Sequence, residues 1–147
     1  MALCDQDTEL TGRGDGALVV IPPAVPAWRV IDPLPERLRS LIRRHNRVFR
    51  DPARIQLRAA FHMGPVHHDN HGYIGTDVDV LFRLLDAAAL KRALASSGAE
   101  LGLITASHVH HNVVRRHPSL IAPTAAFQKA RVHIKHTNTR MDIPARP

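Results

Sequence analysis

One cysteine in 147 residues, Cys4, leaves no disulfide framework to build, and a lone thiol suits a reducing compartment. Aromatic residues make up 4% of the chain, too few for the stacking platforms that read single-stranded nucleic acid. No stretch approaches the roughly 20 apolar residues of a membrane span. The amino-terminal MALCDQDTEL lacks a basic segment followed by an apolar core, so no secretory signal is expected. These absences together predict a cytoplasmic protein with no membrane partner. Lysine is scarce as well: seventeen of the twenty basic residues are arginine.

What is present is an ordinary globular balance, 44% hydrophobic and 22% charged. A chain of this length forms one domain, here residues 1–147, and buries a core without disulfides or a structural metal. The net charge of +7 and the pI near 11.0 point first to nucleic acid, but the charge is unevenly spread. Residues 29–58 hold nine arginines against Asp32, Glu36 and Asp51. Residues 59–90 hold Arg83 against Asp69, Asp77, Asp79 and Asp86. Residues 1–28 are acidic in the same way around Asp15.

Periodicity predicts the order β-β-α-β-β-α-β-α-β-β, an α+β chain. Gly12-Arg13-Gly14-Asp15-Gly16 is a tight turn, and the β-branched run Ala17–Ile21 forms one arm of a hairpin with the segment around Thr8–Thr11. Pro26 to Pro35 reads as a connector, with Asp32 the N-cap of an arginine-rich helix that ends near Asp51-Pro52. Gln56–Met63 reads as a strand turning at Gly64-Pro65, with Val66–Ile74 as the second hairpin arm. Thr76 caps the next helix, whose apolar face is Val78, Leu81, Phe82 and Leu85. Helical pattern continues from Ala87 to Leu94 and stops at Ser96-Ser97-Gly98. Leu101–Thr105 is a short buried strand, and Ser107 caps a helix through Val113-Val114, ended by Pro118. Two last strands, Ala126–Lys135 and Arg140–Ile143, are split by Thr137-Asn138.

Two acidic places carry the chemistry. Asp15 sits at a glycine-flanked hairpin tip, where turn geometry alone accounts for it. Asp79 and Arg83 stand four residues apart on one helix face, and spacing alone reads them as an ion pair worth a few tenths of a kcal/mol, about 0.3–0.5. The histidine clusters, His67-His68-x-x-His71 and His108-x-His110-His111, read as exposed side chains rather than a zinc site. His62 reads as structural, and the outer face of the arginine-rich helix as solvated. Trp28 and Tyr73 read as packing residues.

In order, these segments resemble the catalytic domain of class III adenylate/guanylate cyclases, in particular actinobacterial cyclase-like domains. Arg13-Gly14-Asp15-Gly16-Ala17-Leu18-Val19-Val20 is similar to that family's metal-aspartate hairpin. Leu57-Arg58-Ala59-Ala60-Phe61-His62-Met63-Gly64-Pro65-Val66 resembles its "LR-aliphatic-IH-x-G-x-V" strand and turn. Gly75-Thr76-Asp77-Val78-Asp79-Val80-Leu81-Phe82-Arg83-Leu84 resembles its "G-x-x-V-N-x-A-x-R-L" helix. The resemblance covers roughly residues 8–143. It implies a ferredoxin-like, palm-like cyclase sandwich, with an antiparallel-rich sheet and helices packed on it. It further implies a signalling role, ATP or GTP as ligand, and Mg2+ or Mn2+ held by carboxylates. Asp15 is carried over as a metal ligand, Arg83 as the arginine that stabilises charge at the α-phosphorus, and Lys135 as the lysine on the terminal phosphates. The family's site forms between two subunits, which implies a homodimer, or a partner chain, that brings Asp15 of one to Arg83 of the other.

The departures shape the expected activity. The family's first strand, with its "F-x-D" aspartate, and the helix after it have no counterpart ahead of residue 8. Asp79 replaces the asparagine that orients the ribose, setting a negative charge where a polyanion binds; at about 4 Å such repulsion costs on the order of 1–4 kcal/mol. Thr11 and Gly72 stand near the base-selecting positions, so the base cannot be read. The expectation is a cyclase-like domain, N-terminally incomplete, with little or no activity by itself: a nucleotide-binding or regulatory pseudoenzyme. Two other readings stand beside it, a protein-interaction module using an exposed sheet edge, and, with less support, a basic domain binding nucleic acid without sequence preference.

Overall fold

The computed structural model describes residues 9–116, 127–134 and 137–144. β1 (Glu9–Arg13) and β2 (Gly16–Val20) pair antiparallel from Glu9↔Val20 to Arg13↔Gly16. The two-residue turn between them needs a residue at positive φ, and Gly14 supplies it at 62°. Leu18 points inward and is buried, while Leu10 and Val19 stay exposed. The hairpin expected from the glycine-rich turn is therefore present.

The proline-rich connector contains a helix that the sequence reading lacks. α1 (Ala27–Ile31) precedes α2 (Pro33–Val48) and buries Val30 and Ile31. Pro33 opens α2, where its missing N–H is not needed, so the prolines separate two helices instead of excluding them. Asp32 takes the N-cap position as expected, without a capping hydrogen bond from its side chain. α2 turns Ile42 inward and ends where the Phe49 N–H bonds to the His45 carbonyl.

β3 (Leu57–Phe61) does not pair with the segment that follows it. It runs parallel to β6 (Leu101–Thr105), from Leu57↔Leu101 to Phe61↔Thr105. The segment after Gly64-Pro65 closes on itself instead, as a small hairpin of β4 (His67–Asp69) and β5 (Gly72–Ile74). The Asp69 carboxylate accepts a hydrogen bond from the His71 N–H at 2.7 Å and holds that turn. The expected hairpin partner of β3 is thus corrected: a local turn signal was outweighed by burial against a distant apolar strand.

Helices pack on both faces of the β3–β6 pair, and the strands alternate between them. Leu101 and Leu103 face Ile42 and Leu38 of α2. Ile104 faces α3 (Thr76–Leu85) and α4 (Ala88–Ser97) through Val80, Leu84 and Leu90. Two-sided burial explains why all five residues of β6 are buried and why its sequence runs without polar alternation from Leu101 to Ile104. Gly102 lets α4 approach: a Cβ there would meet Leu90 Cδ1 at 3.1 Å. The inward face of α3 differs from the expected one. Val78, Val80 and Leu84 are buried, while Leu81, Phe82 and Leu85 are partly exposed. Gly75, not Thr76, occupies the N-cap. A break at Asp86-Ala87 separates α3 from α4, and Gly98 ends α4 in the left-handed region, at the stop the sequence predicts.

After β6, α5 (Ser107–Val109) passes directly into a π-helical turn, His110–Val114. The last two strands, β7 (Phe127–Ile134) and β8 (Thr137–Pro144), form an antiparallel hairpin, and β8 lies beside β6. Thr137-Asn138 belongs to β8 instead of lying between the two strands, so β8 begins ahead of the expected Arg140. The chain is α+β, as expected. Its described ladders are four separate pairs, three antiparallel and one parallel.

Candidate functional site

The turn that fixes Gly14 also fixes Asp15, which projects into solvent at the tip of the β1–β2 hairpin. Asp77 and Asp79 lie in the first turn of α3, where negative charge complements the unpaired N–H groups, and Arg83 lies in its last. Asp79 and Arg83 are both exposed, on the solvent side of the helix that buries Val80 and Leu84. Although spaced to pair, they do not come within salt-bridge distance of each other, and neither forms an ion pair with another described residue. Lys135 lies outside the described residues.

A different carboxylate on α3 is engaged. His62 follows β3 directly, and its Nε2 lies 2.6 Å from Asp77 Oδ1. The His62 side chain is only 9% exposed, and its other ring nitrogen, Nδ1, is buried with no hydrogen-bond partner among the described residues. The His108 ring stands edge-on to His62 at 5.0 Å between centroids. His108 Nε2 in turn lies 2.9 Å from the Met63 carbonyl oxygen. Gly64 completes this corner, since a Cβ built on it would fall inside the Asp77 carboxyl group. The carboxyl ends of β3 and β6 and the start of α3 are thereby locked together. The structural role expected for His62 agrees with this geometry. Its partner Asp77 escaped sequence reasoning because nothing in a spacing of 15 residues links a strand exit to a helix start.

The far end of α3 is held in a second way. Arg58 Nη1 donates to the Leu85 carbonyl at 2.9 Å and to Asp86 Oδ1 at 3.2 Å, and Lys91 Nζ lies 3.1 Å from the same carboxylate oxygen. Hydrogen bonds from Lys91 and then Arg58 hold the Asp86 carboxyl below the usual carboxylate range. On β5, partial burial, followed by the hydrogen bond and charge of Glu9 from β1, raises the Tyr73 hydroxyl above its ordinary value.

Among the described residues no three His, Cys, Asp or Glu side chains converge to hold a metal ion. His67, His68 and His71 are exposed on the β4–β5 hairpin. Among the described residues, no helix is long and apolar enough to cross a membrane. Compared with family models, with curated proteins and with solved structures, the chain matches none.

Proposed function

We propose that this chain is a class III cyclase-like domain that binds a nucleoside triphosphate and has little or no cyclase activity by itself. One observation carries the reading. Arg83 stands exposed on α3 and is not neutralised by Asp79, although the spacing suits an ion pair. An exposed guanidinium held on a packed helix can grip a phosphate oxygen in bidentate fashion. Asp15, exposed on a separate hairpin tip, fits a site completed by a second copy of the chain, where it would face Arg83 across the interface. Mg2+ or Mn2+ enters this reading only as the counterion that the nucleotide phosphates bring with them. Asp79 disfavours the negative substrate and supports weak binding in place of turnover.

Titration of fluorescent ATP and GTP analogues, with and without Mg2+ or Mn2+, tests the proposal. Saturable binding that falls by on the order of tenfold in Arg83→Ala, about 1.4 kcal/mol, with no cyclic product, is the expected result. Absence of binding to either nucleotide, or affinity unchanged in both Arg83→Ala and Asp15→Ala, overturns it.

A second reading, a protein-interaction module, is favoured by one feature of β3. Among the described residues it is hydrogen-bonded along a single edge, to β6, and all five of its residues are only partly buried. Such an edge accepts an added strand. A monodisperse monomer at high concentration in size exclusion, with no slow exchange to larger species, counts against it.

A further inference from the structure

We propose that the outer face of α2 binds the phosphodiester backbone of double-stranded nucleic acid without sequence preference. Arg37, Ser40, Arg44 and Arg47 are spaced i, i+3, i+7 and i+10, so they form one stripe along the helix, and all four are exposed. At 1.5 Å per residue the stripe is about 15 Å long, roughly four base-pair rises of a duplex. Arg43 and Arg50, also exposed, flank it. The acid on this side of the helix, Glu36, is held by Arg39 at 2.7 Å, and Arg43 is half-exposed with Glu100 3.5 Å from its Nε.

Three classes of anion compete for such a face, and its layout discriminates among them. A bilayer or an acidic amphipathic helix would need apolar residues along the middle of the stripe. Here the middle is arginine and serine, while the exposed apolar residues, Leu41 (62% exposed) and Val48 (73%), lie along one margin. A phosphodiester backbone needs only guanidinium groups in a row. The scarcity of aromatic residues, which argues against base stacking, does not bear on backbone contact. Arginine without lysine throughout α2 favours bidentate contact with phosphate oxygens.

The test is fluorescence anisotropy with a labelled duplex of about 20 base pairs, read at several salt concentrations. Three neutralised phosphates, one for each arginine of the stripe, give a log–log salt slope near −2.7, about 0.9 per contact. Affinity then falls on the order of 40-fold between about 50 and about 200 mM salt. The pair Arg44→Glu and Arg47→Glu should lower the slope by about 2 and weaken binding at least about tenfold. Arg92→Glu on α4, an exposed site with the same kind of charge change, should do neither. Circular dichroism establishes that each variant is folded, as expected for exposed positions. Loss of duplex binding equal in Arg92→Glu and the α2 variants assigns the affinity to net charge alone and overturns the proposal. So does a salt slope unchanged by the α2 substitutions. Co-sedimentation with vesicles containing about 30% phosphatidylserine is the parallel arm: α2-dependent capture there without duplex binding also overturns it. Nucleotide binding through Arg83 should survive the α2 substitutions, which keeps this proposal separable from the preceding one.

Discussion

Placing a methyl group on Gly64 drives it into the Asp77 carboxyl group that His62 holds at 2.6 Å. The overlap is with the whole carboxyl group of a short, partly buried side chain on a packed helix, and that group is held by His62, so relieving the overlap means giving up that contact. Overpacking of this kind costs about 1–3 kcal/mol. Displacing Asp77 also loses a charge-assisted hydrogen bond to a buried imidazole, about 1.5–3 kcal/mol more. The combined effect of Gly64→Ala is about 2.5–6 kcal/mol, and for a chain of this size Tm falls on the order of 10 °C. A double-mutant cycle isolates the cause. In an Asp77→Ala background the obstructing carboxyl group is gone, and Gly64→Ala should be close to neutral, within about 1 kcal/mol. Thermal and urea unfolding of the four proteins gives the coupling energy, expected to exceed about 2 kcal/mol. An equal cost of Gly64→Ala in both backgrounds would show that the methyl group does not meet Asp77, and the locked corner would not exist.

Leu84 is wholly buried between α3 and the strands, so Leu84→Ala should cost about 2–5 kcal/mol in urea unfolding, against less than about 1 kcal/mol for Leu41→Ala on the exposed side of α2. Asp86 has its folded-state pKa lowered by Lys91 and Arg58. Its contribution to stability is therefore present above the ordinary carboxylate pKa and lost as pH falls through the lowered one. Comparing wild type with Asp86→Asn across the acid range should show the two stabilities converging at the lowest pH. The exposed carboxylate keeps the gap small, and a gap that widened with acid would reverse the sign.

β6 was legible because the unbroken run Leu101–Ile104, with no charged or strongly polar residue before Thr105, describes a strand covered on both faces, as the helices on either side show. α2 was legible for the opposite reason, a polar face against Leu38 and Ile42 at helical spacing. The partner of β3 was not legible. Gly64-Pro65 signals a local reversal, and nothing near Leu57–Phe61 states that its ladder lies 44 residues away. α3 offers two overlapping apolar stripes, one through Leu81 and Leu85 and one through Val80 and Leu84. Only the position of the β3–β6 pair decides between them. Within the candidate site, sequence placed Asp15 on a turn and Asp79 with Arg83 on one helix. It did not reveal that the helical pair stays apart, which depends on rotamers. Nor did it reveal the His62–Asp77 contact, which depends on how a strand exit meets a helix start.

The parallel pairing of β3 with β6 also governs how the chain must fold. Each hairpin brings neighbours together and closes on the order of microseconds, and helices form faster still. Leu57 meets Leu101 only after the whole crossover carrying β4, β5, α3 and α4 has been gathered in, so the entropy of closing a long loop is lost before any contact of the ladder repays it. Until then Ile42 of α2 and Val80 and Leu84 of α3 have no common strand to cover, and the inner sides of those helices remain wet. The slow step of folding is therefore the docking of one short strand, and Leu101–Thr105 is the segment most exposed to wrong partners during synthesis.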